Sequence, residues 1–99
     1  MKFGLSDEQF KYIANTVVKP LSKVRASVYC FGPRTRGDHQ KFSDLDLMIE
    51  SDTKPTSLIG EIQEDLVEGN FPYKVDLVHF SDFADSYKEG YEKEKVEFK

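Results

Sequence analysis

Two spacings of apolar residues alternate along this chain, and each change of period marks a change of element. Ser6-Asp7-Glu8-Gln9 reads as a capping box, in which the Ser hydroxyl and the Gln amide satisfy the first backbone N–H groups of a helix. Phe10, Ile13, Ala14 and Val17 follow at helical spacing, and Pro20 is expected to close the segment. The apolar, β-prone run from Ala26 to Phe31 stops at Gly32. Gly32 to Ser43 is polar, basic and contains two glycines, and Asp44 to Glu50 returns to a strand pattern. A turn-rich link from Asp52 to Ser57 leads to Ile59, Ile62 and Leu66, which mark a second helix ended by Gly69-Asn70. Tyr73 to Phe80 reads as a third strand, followed by a short helix from Ser81 or Asp82 to Tyr91. Val96-Glu97-Phe98 is a candidate terminal edge strand. This order predicts an α/β sandwich, a small mixed sheet of three to four strands covered by helices. With no repeat or linker in sight, residues 1–99 read as one domain, since so short a chain has no volume for a second core.

Composition narrows the class. Charged residues make up 32% and apolar residues 38%, a balance that suits a folded, soluble chain rather than a disordered one. No apolar run approaches bilayer length, and Met1 to Leu5 leads into Asp7 and Glu8 without the apolar core of a secretory signal. A single cysteine, Cys30, excludes an internal disulfide and suits a reducing compartment, so the cytoplasm is the expected location and no membrane partner is expected. The net charge of −4 is uneven. Residues 1–49 carry eight basic against five acidic side chains, and residues 50–99 carry six against thirteen. Such a chain is a poor general binder of nucleic acid, whose phosphates it would repel. A basic cluster of Arg25, Arg34, Arg36 and Lys41 reads either as a seat for a small polyphosphate or as solvated surface.

The candidate chemistry sits between Phe31 and Leu47. On a strand, Asp44 and Asp46 project to one face while Leu45, Leu47 and Ile49 supply the buried one. Two adjacent carboxylates repel unless a cation lies between them, and Mg²⁺ prefers such hard oxygen ligands together with substrate phosphates. The same spacing also describes a strand edge with its acids in water. Asp76, inside Lys74-Val75-Asp76-Leu77-Val78, is an acid among branched residues and is costly unless paired or metal-bound. Three converging carboxylates are what a two-metal site for phosphoryl or nucleotidyl transfer requires, whereas an isolated Asp76 would serve as an edge charge that blocks aggregation. Gly32, ending a strand and opening a helix, would let phosphate approach the backbone, with Arg34 and Arg36 as counter-charge.

Gly32, then Asp44-Leu45-Asp46 with Gly37 and Ser43 between, and Asp76 later, resembles the minimal nucleotidyltransferases of the DNA polymerase beta superfamily. Their signature is Gly-Ser, about ten residues, then Asp-x-Asp, with a third Asp on a later strand, and the resemblance covers nearly the whole chain. It implies the polymerase beta-like nucleotidyltransferase fold. It further implies that Asp44, Asp46 and Asp76 are the catalytic, metal-binding set for two Mg²⁺ ions, with Asp76 helping to activate the incoming hydroxyl. Gly32, Pro33, Arg34, Arg36 and Ser43 would then contact the nucleotide triphosphate, ATP. Small members lack an acceptor-binding helical domain, so the resemblance implies a separate partner: a HEPN-type protein, with this chain as antitoxin, or a four-helix substrate-binding subunit. A homo- or hetero-oligomer is compatible with either.

One departure stands out: the family's Ser after the Gly is Pro33 here. Proline suits the first position of a helix but removes a hydroxyl and an N–H donor. Each hydrogen bond lost to a charged group costs roughly 1.5–3 kcal/mol, or about tenfold to a hundredfold in binding. A catalytically impaired module that neutralises its partner by contact is therefore the alternative expectation. Arg36-Gly37-Asp38 spells an adhesion tripeptide by coincidence, His39 and Lys41 read as solvated or phosphate-facing loop residues, and Cys30 reads as core. His79 has no zinc-type constellation around it, and the Lys88-to-Lys99 stretch reads as a solvent face.

Overall fold

The computed structural model of the protein describes residues 2–37 and 44–99. The predicted capping box forms: the Ser6 hydroxyl accepts from the Gln9 N–H at 3.1 Å and the Gln9 side chain accepts from the Ser6 N–H at 2.8 Å. Helix α1 (Asp7–Ile13) starts there and passes through a π-helical stretch, Ala14–Val18, into α2 (Lys19–Ser22). Pro20 therefore does not end the helix, contrary to the sequence expectation. The Lys19 N–H reaches back five residues to the Ala14 carbonyl, so the ladder slips by one just before the proline. Pro20 then falls in the first turn of a new α-helical segment, where a missing N–H is tolerated.

Strands β1 (Ser27–Phe31), β2 (Leu45–Glu50), β3 (Val75–His79) and β4 (Val96–Glu97) form one mixed sheet in the order β3-β2-β1-β4. β1 runs antiparallel to both β2 and β4, and β2 runs parallel to β3. Parallel neighbours need a crossover, which α4 (Thr56–Glu68) provides. Gly69 after α4 is extended rather than left-handed. It is glycine for another reason: a Cβ there would overlap the Tyr12 hydroxyl. The last helix, α5 (Asp85–Glu94), starts later than expected because Phe80–Asp82 forms a separate tight turn and Phe83 and Ala84 are extended.

Alternation along the strands separates two faces. Val28 and Cys30 of β1, with Leu45, Leu47 and Ile49 of β2, pack against Ile13, Val17 and Leu21 of the first helical segment and Ile59 and Ile62 of α4. Phe98 joins this core, stacking on Phe3 and Phe10 at 5.2 and 4.6 Å between ring centres. The opposite face carries Tyr29 and Phe31 of β1 and Asp46, Met48 and Glu50 of β2. There α5 lays Tyr91 against the sheet, its ring edge-on to Phe31 and its hydroxyl donating to Glu50. Among the described residues, no helix is long and apolar enough to cross a membrane.

Candidate active site

The site grows from the second face of the sheet. In the β2–β3 register Asp46 stands directly opposite Asp76, and in the β1–β2 register it stands opposite Phe31. Asp44 lies one residue before β2 and is exposed. Both neighbouring acids act on Asp46. Burial pushes the Asp46 carboxyl up to about 6, and the negative charges of Asp76 and Asp44 add to it, with a hydrogen bond to Asp76. Arg34 opposes the rise.

Gly32 meets this group from the side. Its φ of 80° and ψ of −160° form a conformation that residues with a Cβ avoid. A Cβ at that position would lie 2.7 Å from an Asp46 carboxylate oxygen. The glycine corner thus touches the acid pair, which the sequence spacing alone did not require.

The turn after it is shorter than a phosphate-binding helix usually is. α3 (Pro33–Arg36) is a single turn opened by Pro33, so its dipole is small and its first N–H is missing. The Thr35 N–H and hydroxyl both donate to the Gly32 carbonyl, at 3.1 and 2.6 Å.

The predicted basic cluster divides. Arg25 precedes β1, at the opposite end of the strand from Gly32, and lines a groove with Ser27, Tyr29 and Glu50. Arg34 is 3% exposed; it donates to the Phe3 carbonyl at 2.8 Å and its guanidinium lies over the Tyr73 ring at 4.3 Å. It faces the site as a buried cation that holds the N-terminal turn in place. Arg36 is exposed and pairs with Glu94 of α5 at 3.0 Å. Asp38, His39, Lys41 and Ser43 lie outside the described residues.

Lys74 is a site-facing residue that the sequence reading did not single out. Its ammonium sits 3.5 Å from Asp76. The signal was present, because Lys74 and Asp76 are two apart in a strand pattern, the spacing that also singled out Asp44 and Asp46. Cys30 and His79 are structural. Cys30 is fully buried, and desolvation, followed by the Asp46 charge, pushes its thiol up to about 12. The His79 ring is clamped between the hydroxyls of Ser51 and Ser81 at 2.9 and 2.8 Å.

Among the described residues, no group of three or more His, Cys, Asp and Glu side chains is close enough together to hold a metal ion by itself. The chemistry of the donors suits a hard divalent ion: the carboxyls of Asp46 and Asp76 face each other across β2 and β3, and a third acid, Asp44, is exposed one residue before β2.

Residues 11–99 match the model of a family described as the nucleotidyltransferase domain. A Haemophilus influenzae protein named "Probable protein adenylyltransferase MntA" is 32% identical over an alignment of 65 residues that covers 64% of this chain. The match spans 56% of that relative's length.

Proposed function

Because this chain belongs to the nucleotidyltransferase domain family, we propose that it transfers AMP from ATP to a hydroxyl group. The observation that carries this reading is the meeting of Asp46 with Asp76 across β2 and β3, with Gly32 packed against Asp46. Asp44, Asp46 and Asp76 are the residues that would hold Mg²⁺. When bound, magnesium neutralises the triphosphate and lowers the pKa of the attacking hydroxyl. The chain's own contribution is placement. Gly32, by lacking a Cβ, makes room for the Asp46 carboxylate, so the glycine corner and the acids lie side by side where a phosphate would bind. Asp76, at the β3 side, is placed to orient an acceptor hydroxyl, with Lys74 moderating its charge. The relative's printed name supports adenylyl transfer to a protein, and a separate helical protein of the HEPN type is the acceptor or acceptor platform in this reading.

The test is transfer of label from α-labelled ATP, with Mg²⁺, to the product of the adjacent gene. Labelling is expected with the parent chain and absent with Asp44→Ala/Asp46→Ala or with a chelator. A second reading, a contact-only neutraliser, is favoured by Pro33 standing where a donor is needed. It predicts no label and a complex that the double variant still forms.

A further inference from the structure

On the β1 side of Asp46, reached through its register partner Phe31, lies a groove of about 300 Å³ between the end of β1 and α5. Its walls are aromatic: Phe31, Phe83, Tyr87 and Tyr91, with Ser86 and Glu94 as polar edges. Phe31 fixes where the groove is. It is the register partner of Asp46, so both side chains share one face, and Gly32 is the next residue. Phe31 packs edge-on to Phe83 and Tyr91 at 5.6 and 5.5 Å. On the far wall Tyr87 is 65% exposed, its ring 5.9 Å from Phe83. An exposed large aromatic beside a groove already walled by three others suits a planar ligand. The Arg36–Glu94 ion pair ties α3 to α5 at the rim.

We propose that this groove holds the base of the nucleotide, stacked on Tyr87; the inference rests on the transferase reading and adds to it the seat of the base. Sheet order decides between base and acceptor. β2 carries Asp46 in the middle, Gly32 and the aromatic groove lie toward β1, and Asp76 with Lys74 lies toward β3. A nucleotide whose phosphates meet Gly32 therefore has its base within reach of Phe31 and Tyr87, leaving the Asp76 side open for the acceptor. Every base has a π face, so stacking alone gives affinity with little choice among bases. The groove's volume is at the lower end of small-ligand sites, which fits one base and not a whole nucleotide.

Calorimetry with the full chain, Mg²⁺ and either a non-hydrolysable ATP analogue or inorganic tripolyphosphate tests this. The parent should bind the analogue more tightly than tripolyphosphate. Tyr87→Ala should weaken the analogue roughly tenfold, the loss of one base–aromatic stack, and leave tripolyphosphate unchanged, while Tyr87→Phe restores the analogue. Tyr87 is mostly exposed, so the variants should melt with the parent. Equal binding of analogue and tripolyphosphate by the parent, or an equal loss of both in Tyr87→Ala, overturns the base site while leaving the phosphate site standing. Failure of the parent to bind either ligand overturns both readings.

Discussion

At Asp46 the fold works against ionisation. An unfolded aspartate titrates near 3.8, and in the fold this carboxyl is pushed up to about 6. Between those values the folded chain binds more protons than the unfolded one, so this group's contribution to stability falls as pH rises from about 4 to 6. Above that window the cost is constant. Asp46→Asn should therefore be more stable than the parent at pH 7.5, by about 1 kcal/mol once screening of this half-exposed group is allowed for. Near pH 4 the two should be equal, and urea melts at both pH values will show whether they are. Gly32→Ala should cost about 1–3 kcal/mol from the forced backbone conformation alone. It should also abolish transfer, because the new methyl displaces the Asp46 carboxylate; denaturation and rate measurements separate the two effects. Pro33→Ser returns a hydroxyl and an N–H to the turn, and should tighten nucleotide binding by at least about tenfold.

At the scale of elements, caps and the strand alternation carry most of the information, because each depends on residues close in sequence. The capping box at Ser6 is such a case, and Ser6→Ala should destabilise the chain by about 1 kcal/mol in thermal or urea melts. The strand boundaries agree with expectation to within a residue or two at β1 and β2. Pro20 misleads because its effect depends on the hydrogen-bond register of the preceding turn. A π-helical slip there turns a helix breaker into a first-turn residue. Gly69 misleads in the same way: its glycine answers to Tyr12, more than fifty residues away, and not to local backbone conformation.

Across the whole molecule, the two faces of the sheet divide the labour. One is dry and holds the chain together; the other carries acids, aromatics and Glu50, which accepts from Tyr91 and from Lys95 at 2.9 Å. Phe98 shows how far the dry side reaches. It is 1% exposed, its N–H donates to the Val28 carbonyl at 2.9 Å, and its ring closes a stack with Phe3 and Phe10. Phe98→Ala should cost about 3–5 kcal/mol, read from the urea midpoint, because a large aromatic leaves a cavity that rigid neighbours cannot fill.

From the order of residues alone came the alternation of helix and strand, the strand spacing of Asp44 and Asp46, and the candidacy of Gly32 and Asp76. These follow from period and local sterics, which need no distant partner. Only tertiary structure decided that Asp76 pairs with Asp46, that Gly32 lies against the same carboxylate, and that Arg34 is buried under Tyr73 while Arg25 sits at the other end of β1. It also decided that Phe31, Phe83 and Tyr87 share a groove. Such contacts join residues tens of positions apart, and strand pairing with helix packing is what fixes which of them meet.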